Sequence, residues 1–329
     1  MDKSCKKVNG FFLSLIVLRI AASIIVSALA AGGVMMGTVA SLIFSQMLIL
    51  VPSFLFFLIP GYDLFEWIPF KKLKGGTVML IILFTFLIMP FISFINVFSQ
   101  LFTTNTAVEM SDEFLEVSPL LITLIVGFVG PFCEEFTFRG VIFGGLRKSG
   151  YVFAAAAVCG IYFGLMHLNL NQFCYALVLG VIFCMLVEAT GSIWGSIISH
   201  AVINTWNIVL MIVMDKVYST MDMDIFELAQ DIVTTDTKLA MMGVLIVISV
   251  VTTALAAGVF IAIARSEERW GEVTGMFCRP AVNEGSGGTD DEPRQDTKVR
   301  LVTLSGYISI GICLFVIFLL DRVLAMFGM

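Results

Sequence analysis

Residues 77–101 read TVMLIILFTFLIMPFISFINVFSQL, a stretch without a single charged side chain. About 20 apolar residues wound as a helix rise about 30 Å, the hydrocarbon thickness of a bilayer. Comparable runs occupy about 11–32, 38–60, 118–146, 151–168, 173–189, 191–213, 239–264 and 301–320. The expected fold class is therefore an all-α polytopic membrane protein, a bundle of about eight to nine transmembrane helices. Composition agrees, since 59% of the 329 residues are hydrophobic and 13% are charged, against about a quarter charged in soluble domains. Membrane barrels are excluded because their strands alternate apolar and polar residues, whereas these runs are continuously apolar.

Lysine and arginine collect on the cytoplasmic side of membrane proteins, so their positions set the orientation. Lys3, Lys6 and Lys7 precede the first span, Lys71, Lys72 and Lys74 follow the second, Arg147 and Lys148 follow the fourth, and six basic residues follow the eighth. The loops at 31–37, 102–117 and 214–238 then face outward, the last two rich in Asp and Glu. The N-terminus is expected in the cytoplasm of a cell whose plasma membrane holds the chain, with the C-terminus outside. Three lysines, an apolar run and Ala28-Leu29-Ala30 resemble a secretory signal, but Arg19 within the run favours a retained helix. Residues 265–300, which include the run from Glu284 to Pro293, have the composition of a cytoplasmic linker loop. The net charge of −6 provides no basic stripe, so no nucleic-acid partner is expected. The seven cysteines are scattered without a CxxC pair and read as packing residues.

Ionisable groups inside spanning helices cost several kcal/mol on most scales, so each calls for a partner or a function. The fourth run carries Pro131-Phe132-Cys133-Glu134-Glu135-Phe136-Thr137-Phe138-Arg139-Gly140. The fifth ends Phe163-Gly164-Leu165-Met166-His167, and the seventh holds His200-Ala201-Val202-Ile203-Asn204. These include both histidines of the chain. Glu135 and Arg139 are four residues apart, as are His200 and Asn204, so each pair shares a helix face. Glu134 points about 100° away from Glu135, towards the bundle interior. Glu134 and His167 each lie roughly 20 to 24 Å from the basic helix ends, but His200 lies only roughly 13 Å from Gly191 at the same rise. That mismatch in depth stays open, as does the membrane face on which the site opens.

Two carboxylates, two imidazoles and an amide in apolar surroundings can form a water-activating hydrolytic centre. Glu134 is the candidate base, assisted by His167, with His200 and Asn204 donating hydrogen bonds to the oxyanion formed at an attacked carbonyl. Cys133 would compete as a nucleophile, but buried thiols near acids are usually inert. A catalytic zinc held by Glu134, His167 and His200 is an alternative ligand set, although the HExxH pairing of a secure zinc motif is absent.

Glu134-Glu135-x-x-x-Arg139, Phe163-x-x-x-His167 and His200-x-x-x-Asn204, in this order on successive helices, resemble the CPBP group of CAAX proteases and bacteriocin-processing, Abi-like enzymes. The resemblance covers about 70 residues, from 134 to 204. It implies a glutamic intramembrane endopeptidase in which the residue matching Glu134 activates water, Glu135 and His167 assist, Arg139 positions the carboxylates, and His200 with Asn204 stabilises the oxyanion. It further implies a metal-free site and a peptide substrate that is membrane-associated, prenylated or of leader type. On this reading residues 1–329 form a single integral membrane domain, with a catalytic core at about 118–213 in contact with lipid.

Singly, each of these residues has a plainer reading. Glu135 and Arg139 make an intrahelical ion pair, each histidine a packing residue, and Asn204 an interhelical tie. Phe163 reads as a packing wall, Thr137 as bonding back to its own helix, and Glu188 as an interfacial anchor. A non-catalytic immunity or binding protein, or a proton-coupled transporter, would also bury such groups. No internal repeat of the transporter kind is evident.

Overall fold

The computed structural model describes residues 3–103, 111–220, 234–278 and 300–327. Nine long helices appear among them: α1 (Lys3–Ala31), α2 (Thr38–Phe56), α3 (Gly75–Ser99), α4 (Pro119–Ser149), α5 (Val152–Met166), α6 (Leu170–Thr190), α7 (Ile193–Ser219), α8 (Thr235–Ser266) and α9 (Leu304–Phe327). All except α5 and α9 are long and apolar enough to cross a membrane, seven helices among the described residues. The chain is an all-α polytopic membrane fold. At 15 residues, α5 rises only about 22 Å, short of the bilayer core. Its C-terminal end therefore stops inside the protein.

Turn chemistry sets the helix ends around this core. Gly150, with φ of +83°, closes α4, and Gly191, with φ of +63°, closes α6, the left-handed conformation that glycine adopts without a Cβ penalty. Asn169 starts α6 by accepting from the Gln172 backbone N–H at 2.9 Å, a side-chain cap. Between α5 and α6 the chain turns through Leu168, whose φ of +53° is left-handed. A leucine there is strained, and that strain sits directly after His167.

Helices α5 and α6 pack closely through small residues. A Cβ on Gly180 would fall 2.6 Å from the Gly160 Cα, and one on Gly164 would fall 2.9 Å from the Phe173 carbonyl oxygen. Membrane helices associate through such small-residue contacts because lipid gives them no hydrophobic drive to cluster. Helix α4 is the hub of one half, packing against α1, α2, α5 and α7, while α3 pairs with α8 along its length. One apolar cluster centres on Phe12, Phe56, Trp67, Phe138 and Phe143, and the other on Phe84, Phe183 and Phe260. Tyr175 packs against both. Val17, Ile24, Val244, Val247 and Phe315 point outward, an apolar exterior suited to lipid.

Part of the segment read as a linker is ordered. A short helix, Trp270–Gly275, follows α8, and the Arg269 side chain donates through Nε to the Glu188 carbonyl oxygen at 2.6 Å. Residues 279–299 lie outside the described residues, as do Glu109 and 221–233 of the acidic loops. Glu188 is held by Arg147 at 3.0 Å and Arg269 at 3.5 Å, which makes it a tie between the ends of α4 and α6.

Candidate active site

Helix α4 does not follow a uniform α-helical path. Its backbone shifts to i→i+5 hydrogen bonding over Ile125–Val129 and again over Phe136–Phe143, on either side of the α-helical turn Gly130–Glu135. Such widened turns are rare and concentrate at functional sites. Here they bracket the glutamate pair and change which way each side chain faces. The first is tied from outside, since Asn204 Nδ2 donates to the Val126 carbonyl oxygen at 3.0 Å. Close approach of α7 at this level needs Gly127, whose Cβ would lie 2.5 Å from Thr205 Oγ1.

The two glutamates have different surroundings. Glu135 is fully buried, and its Oε1 is shared by Arg139 Nη1 at 2.9 Å and His200 Nδ1 at 2.8 Å. Arg139 Nη2 donates to the Gly180 carbonyl oxygen at 3.1 Å. The guanidinium lies over Phe163 and Phe183, 4.4 and 5.0 Å from the ring centroids, a cation–π sandwich. The His200 ring stacks on Phe183 with centroids 5.0 Å apart. Glu135 is thus fixed from three helices. Glu134 keeps 20% of its side chain exposed, and Oε2 stands 3.8 Å from His200 Nε2, beyond hydrogen-bond range. The histidine stands between the two carboxylates, hydrogen-bonded to Glu135 through Nδ1 and facing Glu134 with Nε2.

The open question of depth has a structural answer. The start of α7 lies beneath the segment that follows a short helix at Leu64–Trp67. The Ile193 N–H donates to the Pro69 carbonyl oxygen at 2.8 Å, and Ser192 Oγ to that of Lys71 at 2.5 Å. Ile193 and Ser196 are buried. Because α7 begins inside the protein, its third turn reaches the level of Glu135.

His167 and Asn204 stand differently from Glu135, Arg139 and His200. His167 sits at the end of α5, edge-on to Phe163 with centroids 5.3 Å apart. Among the described residues it makes no hydrogen bond or ion pair with Glu134, although it lies in electrostatic reach of His200. Asn204 spends one N–H on Val126 rather than on His200 or a glutamate. Glu134, His167 and His200 are not assembled as a metal-binding set, and no group of three His, Cys, Asp or Glu suited to a metal ion occurs among the described residues. Cys133 is buried. Thr137 donates back to the Cys133 carbonyl oxygen at 2.9 Å and meets Ser53 Oγ at 2.8 Å.

Two residues absent from the sequence-derived set lie in electrostatic reach of Glu134: Arg19 of α1 and Tyr175 of α6. Gln46 of α2 lies against Gly130, its Nε2 3.7 Å from where a Cβ there would stand. Gln46 Oε1, Thr205 Oγ1, Glu135 Oε2 and Arg139 Nε are buried without a hydrogen-bond partner among the described residues. An arginine in an apolar run was the only one of these signals visible in the sequence.

The segment that carries this geometry also carries a match to known proteins. Residues 116–206 match the family described as Type II CAAX prenyl endopeptidase Rce1-like. That segment contains every residue of the three motifs. A Bacillus subtilis protein named "Putative membrane peptidase YdiL" is 30% identical over 100 residues, 30% of this chain and 41% of that protein. The chain thus spans less than half the length of this relative. No solved structure matches the chain. The Rce1-like segment runs from the approach to α4 into the middle of α7, the four helices that build the site. At the level of the family, the match supports a CAAX-type membrane protease.

Proposed function

We propose that the chain is an intramembrane endopeptidase that hydrolyses a peptide bond of a membrane-associated, prenylated or leader-type peptide by glutamate-activated water. The observation that carries this reading is the division of labour between adjacent carboxylates. Glu135 is locked by Arg139 and His200 and has no freedom to accept a proton from a moving water. Glu134, partly open and unclamped, stands 3.8 Å from His200 Nε2. It is the base. As the water oxygen bonds to the peptide carbonyl carbon, Glu134 takes its proton and the carbonyl electron pair becomes an oxyanion. The tetrahedral adduct then collapses, the C–N bond breaks, and the proton passes to the departing amine.

Supporting groups follow from their partners. With Nδ1–H donated to Glu135, His200 turns Nε2 towards Glu134 to share the mobile proton. The second N–H of Asn204 serves the oxyanion, while its first holds the widened turn of α4. Arg139 holds Glu135 in place through a 2.9 Å hydrogen bond, and His167 closes the far side of the site. The apolar exterior suits a substrate arriving from the bilayer, and the protein works in the plasma membrane with its N-terminus in the cytoplasm. The reaction as written needs no metal.

Cleavage of a peptide library presented in liposomes tests this, using the purified protein and Glu134→Gln, each with and without a strong chelator. Cleavage by the parent alone, unaffected by chelation, is the expected result. Chelator-sensitive cleavage restored by zinc would make Glu134, His167 and His200 ligands instead. Cleavage by neither protein would leave a binding or transport role.

A further inference from the structure

Arg19 is the only charged residue between positions 8 and 31 of α1. Its place on the helix turns it inward. Phe12, Leu15, Ile16 and Ala22 are buried, and Arg19 falls on their stripe at three- and four-residue spacing, while Val17, Leu18, Ile24 and Ile25 face outward. The side chain is half-buried. Val8 of α1 packs against Gly145 of α4, and eleven residues further along α1 and eleven back along α4 stand Arg19 and Glu134, at about the same depth on antiparallel helices; Glu134 and His167 lie within the electrostatic reach of Arg19. Yet among the described residues the guanidinium makes no hydrogen bond, no ion pair within 4 Å and no ring contact. Arg139 differs in all of these, having Glu135, the Gly180 carbonyl and two aromatic faces.

A membrane-buried guanidinium without a direct partner is expensive to maintain unless an anion arrives to meet it. Its planar fork of donors matches a carboxylate in two parallel hydrogen bonds. We propose that Arg19 forms a carboxylate-binding subsite beside Glu134, holding a carboxylate of the peptide substrate while the neighbouring peptide bond meets the activated water. This rests on the protease reading of Glu134. The carboxylate is either the C-terminus of the peptide or an acidic side chain close to the scissile bond, and both have the same chemistry. Arg19 is then a specificity residue that acts on substrate affinity and leaves the chemical step to Glu134.

The test uses a cleaved lipopeptide in liposomes in four forms: free acid, C-terminal amide, and each of these with its acidic side chains changed to Asn or Gln. Loss of the recognised carboxylate should raise KM about tenfold or more, as one charge-assisted hydrogen bond is worth. Arg19→Gln should raise KM by a similar factor for the charged form only, with kcat at its own pH optimum little changed, and Arg19→Lys should recover part of the loss. The form that abolishes the Arg19 effect identifies the source of the carboxylate. Equal KM for all forms in the parent protein, a comparison that needs no variant to fold, would overturn the subsite. So would an Arg19→Gln defect that is equal for all forms, the mark of a counter-charge for Glu134 and nothing more. If the parent cleaves nothing, the protease reading fails separately. Binding of the same peptides to Glu134→Gln with and without Arg19→Gln then decides the subsite: a preference for the acid that Arg19→Gln removes supports it, and indifference to the carboxylate overturns it.

Discussion

At the scale of the residue, two adjacent glutamates on one helix do different work because their neighbours differ. Glu135 compensates a buried arginine and a histidine at once. Removing one partner of such a pair strands a charge and is worth about 3–5 kcal/mol, far more than the pair itself contributes against an apolar replacement. Glu135→Gln should therefore lower the melting temperature markedly in detergent, and Arg139→Gln should do the same, whereas Glu134→Gln should melt with the parent. Six polar residues were legible in the sequence because charge within a membrane span is improbable without a reason. Their roles were less legible. Helical spacing paired Glu135 with Arg139, but could not show that His200 joins them or that Asn204 turns to Val126, because both depend on where α7 begins. Tyr175 and Gln46 carried no signal at all, since neither tyrosine nor glutamine is unusual in a membrane helix.

At the scale of the element, the apolar runs gave nine candidate spans; all nine are helical among the described residues, and seven of them are long and apolar enough to cross a membrane. The shifts of backbone bonding within α4 were invisible, because apolar residues on every side leave no periodicity to break. The end of α5 was legible to within two residues, since the fifth run stops at 168 and the helix at Met166, but the left-handed corner at Leu168 was not. Small residues set the α5–α6 spacing, and the Gly180 carbonyl they expose holds Arg139. Gly180→Ala should drive the two backbones apart, costing about 1–3 kcal/mol as overpacking does, and should impair cleavage without removing any reacting group. Gly258→Ala on α8, where a Cβ meets nothing within 4 Å, is the control and should melt no lower than the parent. Thermal unfolding of both variants in one detergent checks the contrast.

At the scale of the whole molecule, distant segments are tied at the end where α3 begins and α8 finishes. Glu267, just beyond α8, accepts from Thr77 Oγ1 at 2.6 Å and from the Lys74 backbone N–H at 3.2 Å, with Lys71 Nζ 3.6 Å away. Burial raises its pKa, but these hydrogen bonds and the two lysine charges outweigh burial and hold it below the ordinary carboxylate value. A carboxyl depressed in the folded state stabilises fully above its unfolded pKa, and that contribution is lost as pH falls through the folded value. The melting temperature should therefore drop on acidification into that range, and Glu267→Gln should weaken the dependence while lowering stability at neutral pH. The tie was not legible in advance, because Glu267 sits in a stretch whose composition reads as linker. The Rce1-like match, by contrast, was legible from the three motifs; it covers α4 to α7 and leaves the surrounding helices to be understood from their packing. The account turns on Glu134 as base, and the most direct measurement is the single-turnover cleavage rate of Glu134→Gln against the parent, at equal folded protein and equal melting temperature. The account predicts a loss on the order of 10²–10⁴-fold, the range of general-base catalysis; cleavage at the parent rate would contradict it.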